Sequence, residues 1–158
     1  MNKDSLIEQL ELVKHIEGGY FARTYQSQKQ TNGRALSSSI YYMLTDDSPI
    51  GHFHINQSDI LHFFHLGSPI TYLTISPEGQ LDTFILGNDI TKGHLLQKVV
   101  LGGYWKASIL EEGTFGLISE AVCPGFDYSD MSIATPEQLR LSFPDFWDKI
   151  KPYVKSKE

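Results

Sequence analysis

Between residues 35 and 122 the chain is a succession of short β-branched and aromatic runs broken by turn signals, and this pattern limits the fold more than any other feature. The runs ALSSSIYYMLT, ITYLTIS, LDTFIL, LQKVVL, YWKAS and TFGLISEAV suit a pleated, half-buried surface. SPEGQ, LGND and a Gly-Gly pair separate them as turns, and the spacing predicts about eight to ten strands. No helical pattern lies between the runs to cross from one parallel strand to the next. The expected fold is therefore all-β, an antiparallel sandwich or barrel of the jelly-roll kind.

The two ends read differently. Leu6, Ile7, Leu10 and Val13 recur on one helical face behind Asp4 or Ser5 as N-cap, with Ser5 and Glu8 at capping-box spacing, so a helix is predicted over Ser5–Lys14. Near the other end Thr135, Pro136 and Gln138 follow the order of N-cap, first-turn proline and capping-box partner, and a further helix is expected after Pro144, carrying Phe146, Trp147 and Ile150. These terminal helices are expected to act as lids or dimer elements outside the core. At 158 residues, positions 1–158 are the size of a single domain.

A net charge of -6 offers no basic face, which argues against a nucleic-acid partner. The first residues, MNKDSLIEQLELVKH, hold no apolar run long enough for a secretory core or a membrane span, so no membrane partner and a cytoplasmic location are expected. The one cysteine, Cys123, stands in an apolar, strand-like setting and is read as a buried, inert thiol.

The stretch GHFHINQSDILHFFHLG, residues 51–67, carries four of the six histidines. On an extended strand His52 and His54 share one face and Phe53 and Ile55 the other. On the following strand His62 shares a face with Ile60 and Phe64, and His65 takes the opposite one. The four histidines meet at one site only if a bulge intervenes. Were a divalent metal present, parity would offer His52, His54 and His62 as ligands with one coordination position open. Glu120, inside the apolar run GLISEAVC, needs a cation or a wet pocket to be buried ionised. Glu17, in the IEGGY turn, reads as a rim or solvated loop residue. In PGFDYSD, Asp127 or Asp130 is expected to bond the local backbone.

His52, His54 and Gly67 resemble the first motif of the cupin superfamily, in which a glycine and a His-x-His pair precede a glutamate and a second glycine. Here Ile60 stands at the glutamate position, and no histidine follows His94 to supply the second motif. HIEGGYFARTYQS, SSSIYYMLT, FHINQSDILHFFHLGSPI, VVLGGYWKAS and ISEAVCPGFDYSDMSIA, together spanning His15 to Ala134, are similar to a small cupin branch of unknown function whose fold is like that of dTDP-sugar epimerases. The resemblance implies a cupin-type jelly-roll barrel with an N-terminal helix and short C-terminal helices, and pairing through the sheets into a homodimer. It also implies a pocket for a small polar metabolite, lined by Tyr42, His52, His54, His62, Trp105 and Glu120, with Trp105 as a stacking platform.

Two functions remain open at this point. In one, the pocket isomerises or epimerises a sugar-like or nucleotide-sugar metabolite without a metal, with His54 as proton acceptor and Glu120 as its partner, and no cofactor is expected. In the other, the pocket binds a ligand without turnover. A metal-dependent enzyme using His52 and His54 stands third. A histidine and a carboxylate at hydrogen-bond distance inside the cavity would separate the first two, because a base needs an orienting partner and a binding pocket does not.

Overall fold

The apolar runs pair into two antiparallel sheets in the computed structural model, which describes residues 2–156. In chain order the strands are β1 (Val13–Lys14), β2 (Tyr20–Gln26), β3 (Gln30–Thr31), β4 (Arg34–Ala35), β5 (Ser38–Thr45), β6 (Ile50–Asn56) and β7 (Ile60–Gly67). They continue with β8 (Ile70–Ile75), β9 (Leu81–Leu86), β10 (Gln97–Val100), β11 (Trp105–Ile109), β12 (Phe115–Val122) and β13 (Met131–Ile133). One sheet runs β1-β2-β5-β12-β7-β10 and the other β13-β6-β11-β8-β9, while β3 and β4 form a separate hairpin. Neighbours distant in sequence, such as β5 beside β12, make this a jelly roll rather than a meander.

The two inner faces meet around Tyr42, Leu44, Ile70, Tyr72, Leu86 and Ile118. Part of each outer face is covered as well. Helix α1 (Lys3–Gln9) brings Leu6 against Met43, Phe115 and Leu117. Helices α2 (Pro136–Ser142) and α3 (Trp147–Ile150) bring Leu139 and Ile150 against Phe53, Leu73, Ile75 and Ala107. The terminal helices are therefore core elements, not the lids or dimer arms that the sequence suggested. A sheet apolar on both faces leaves its outer side wet unless something covers it, and each large side chain so buried contributes about 1.5–3 kcal/mol.

Helix α1 starts earlier and ends sooner than the expected Ser5–Lys14. Its N-cap is Asn2, whose side chain accepts from the Ser5 N–H at 2.8 Å. Glu11 turns to a positive φ of 53°, after which Val13 and Lys14 join the sheet as β1. Helix α2 carries the expected cap, Thr135 accepting from the Gln138 N–H at 3.2 Å. Cys123 is exposed, contrary to the buried reading, because it lies past Val122, the last paired residue of β12. Among the described residues no helix is long and apolar enough to cross a membrane.

Candidate functional site

Four strands bring the polar side chains of the interior together. Lys106 on β11 stands opposite His54 on β6, and Glu120 on β12 stands opposite His62 on β7. Between His54 and Gly51, β6 carries one residue more than β11 does between Lys106 and Ser108, which is a β-bulge. The bulge takes His52 out of step with His54. His54 is buried inside the barrel, while His52 Nδ1 lies 2.9 Å from the Glu17 carbonyl oxygen. His65 faces out and meets Ser119 Oγ at 2.9 Å.

Lys106, 3 % exposed, places Nζ 2.6 Å from His62 Nε2 and 3.3 Å from Glu120 Oε1. His62 Nδ1 lies 3.3 Å from the Lys98 carbonyl, which can only accept, so Nδ1 carries the ring proton and Nε2 accepts from the lysine. Lys106 is thus a tethered cation held between a neutral imidazole and a carboxylate. Burial pushes the Glu120 carboxyl up, but the charge of the Lys106 ammonium outweighs it and holds the group well below the usual carboxylate range.

The second carboxylate comes from outside the strands. The loop between β1 and β2 folds over the barrel end, where the Glu17 carbonyl accepts from the His52 N–H at 2.7 Å and Tyr42 Oη donates to the Gly18 carbonyl at 2.9 Å. Gly18 has φ +107°, and a Cβ there would run into the Ile50 carbonyl, so the loop lies this close only with glycine. The Glu17 side chain, in a residue 5 % exposed, reaches His54: Oε2 is 3.0 Å from Nε2. His15 Nδ1 lies 3.7 Å from the same oxygen.

Hydrogen-bond logic fixes the proton count of this pair. His54 Nδ1 is 2.8 Å from the His52 carbonyl and therefore carries the proton, leaving Nε2 bare. A bare nitrogen and a carboxylate oxygen at 3.0 Å repel unless one proton lies between them. Burial, reinforced by the nearby Glu120 charge, pushes Glu17 up to about 8, whereas burial and the Lys106 charge push His54 down to about 3. At neutral pH the shared proton therefore rests on Glu17. His15 is also pushed down by burial, to about 4.

Glu17, His54, His15 and Glu120 line one pocket of about 520 Å3 including its open mouth, together with Phe21, Ile40, Ile60, Val122 and Phe126. The expected site residues divide accordingly. His54 and Glu120 are on the wall, but the carboxylate against His54 is Glu17, not Glu120. His62 lies beneath the wall, bonded to Lys106. Tyr42 and His52 support the Glu17 loop. Trp105 lies on the outer side of its sheet, against the cluster of Phe53, Leu139 and Ile150, because its parity is opposite to that of Lys106. The interior residue of YWKAS is the lysine, and the same alternation that placed the histidines could have found it. Glu17 carried no such signal, since loop residues follow no period.

The metal ligand set offered by parity does not converge. Each of His52, His54 and His62 directs a ring nitrogen at a protein group, and an ammonium stands 2.6 Å from His62 Nε2 where a cation would have to bind. Among the described residues no group of three or more His, Cys, Asp or Glu side chains is arranged to hold a metal ion. These residues do not fit a divalent metal.

A family model described as "Cupin superfamily (DUF985)" matches residues 4–134. An uncharacterized protein of Saccharomyces cerevisiae, YML079W, is 44% identical over 144 residues, covering 79% of this chain and 71% of that protein. Protein SO0799 from Shewanella oneidensis is similar in structure with a TM-score of 0.94 and 33% identity, covering 99% of both chains. A hypothetical protein from Leishmania major is similar with a TM-score of 0.91 and 28% identity, covering 98% of this chain and 99% of that one.

Proposed function

The chain belongs to the cupin superfamily, in the family described as DUF985, and from its barrel geometry we propose that it binds a small metabolite and isomerises it by proton transfer without a metal. One observation carries this reading: His54 and Glu17 meet at 3.0 Å on the pocket wall, with the imidazole tautomer fixed from behind by the His52 carbonyl. Simple binding requires no such orientation, whereas general acid–base work does.

In this reading the pair starts with one proton, on Glu17. Glu17 gives that proton to one atom of the ligand, and the ionised pair then removes a proton from a second atom. The ligand has changed only in where its hydrogen sits, and the site returns to its starting state. A carboxyl raised to about 8 is matched to this task near neutral pH, since it releases and recovers a proton at similar cost. Lys106 steadies the ionised form of the pair through its nearby positive charge, and the apolar wall excludes water that would exchange the proton in transit.

The test is incubation in deuterium oxide with a panel of low-mass metabolites, followed by mass spectrometry. Carbon-bound deuterium should appear in at least one panel member, and uptake should vanish in Glu17→Gln and His54→Gln variants that keep the native circular dichroism. Binding without uptake by the unaltered protein would identify a non-catalytic ligand-binding cupin instead.

A further inference from the structure

The charges around the pocket are unevenly satisfied. Inside, Glu120 is matched by Lys106, and Glu17 shares its proton with His54. Beside the mouth, the Asp130 carboxylate is paired with Arg34, which also donates to the Gly125 carbonyl at 2.7 Å. Arg23 is different. It lines the same pocket, it is exposed at the mouth, and its side-chain contact is the neutral amide oxygen of Gln26, with no carboxylate within salt-bridge distance among the described residues.

The pocket presents mostly apolar surface, with Phe21, Ile40, Ile60, Val122, Phe126 and Met131 in its lining, and the polar Ser38, Ser39, Asn56 and Tyr128 stand among them. Among the described residues the depth offers an anionic group no free cation, since Lys106 is matched by Glu120, whereas Arg23 offers one at the mouth.

Building on the pocket of the proposed function, we infer that the ligand is a small organic oxyanion, a carboxylate or phosphate monoester, whose acid group pairs with Arg23 at the mouth while an apolar body carries its reactive atoms to Glu17 and His54. A guanidinium fork suits both acids because each offers two oxygens to parallel N–H donors.

Titration calorimetry with benzoate, phenyl phosphate and the neutral isostere benzamide tests this on the intact chain. At least one anion should bind about tenfold or more tighter than benzamide, and whichever it is separates a carboxylate from a phosphate ligand. Arg23→Gln should abolish the preference without altering benzamide binding, and Arg23→Lys should restore part of it. Equal affinity for anions and amide overturns the inference, as does failure of both anions to bind at millimolar concentration. Neither result touches the proton-transfer reading, which deuterium uptake decides. Absence of uptake with the anion preference intact removes turnover and leaves the oxyanion site standing.

Discussion

Replacing Lys106 by Met removes the cation that lies 3.3 Å from Glu120 and 2.6 Å from His62, while nearly conserving side-chain length. The Glu120 side chain is 13% exposed, so its charge loses its partner in a largely buried position. Breaking a buried pair in this way typically costs about 3–5 kcal/mol. Protonation sets a ceiling on the cost, because the folded protein can neutralise the orphan carboxylate instead. Starting from the ordinary value of 4.5, that takes about 4 kcal/mol at about pH 7.5 and about 1.4 kcal/mol at about pH 5.5.

The destabilisation should therefore shrink by about 2–3 kcal/mol between those conditions. With Lys106 present, the depressed Glu120 contributes stability above 4.5 that is lost as pH falls. Without it, burial raises the group, and stability is lost as pH rises instead. Urea denaturation of the unaltered protein, Lys106→Met, and the double variant Lys106→Met/Glu120→Gln at the two pH values measures this. The double variant should recover most of the loss. A Lys106→Met cost that is small, or equal at both pH values, refutes the tethered-cation account.

Glu17, raised from 4.5 to about 8, contributes stability that is complete below 4.5 and lost as pH rises through 8. Glu17→Gln should accordingly flatten a decline between about pH 4.5 and 8 of up to about 1.4 kcal/mol per pH unit, read by the same denaturation curves. His54 and His15, lowered from 6.5 to about 3 and about 4, should give the opposite limb, with stability falling as pH drops below 6.5. Trp105→Ala should cost about 2–4 kcal/mol through lost packing against the cluster of Phe53, Leu139 and Ile150, and leave ligand affinity unchanged, checked by thermal melts and calorimetry. Light scattering should give a dimer mass, because Leu96, Val99 and Leu101 are exposed around β10, an open edge of the six-stranded sheet. A monomer mass across micromolar concentrations would contradict that expectation.

The jelly roll was legible because strand signals are local: period-two alternation and turn chemistry mark β5 to β12 without knowledge of their partners. The hairpin β3-β4 and the two-residue β1 escaped notice because so few residues carry no period. Alternation also explains the two main differences at the site. It identified His54, yet in YWKAS the stacking potential of Trp105 drew the assignment, although parity opposite His54 belongs to Lys106. Glu17 was hidden for a different reason. Its burial depends on the loop folding over the barrel end, held by Tyr42 and the His52 backbone, and these are contacts between residues far apart in sequence.

The claim that most needs measurement is that the proton of the buried pair rests on Glu17 and faces a bare His54 nitrogen. Carbon-13 NMR of labelled glutamate carboxyls, with nitrogen-15 NMR of the histidine rings, reports both partners in one titration. The account predicts a Glu17 carboxyl that is protonated at neutral pH and ionises near 8, beside a His54 ring protonated at Nδ1 alone. A Glu17 that ionises near 4.5, or a His54 ring protonated on both nitrogens at neutral pH, would contradict it.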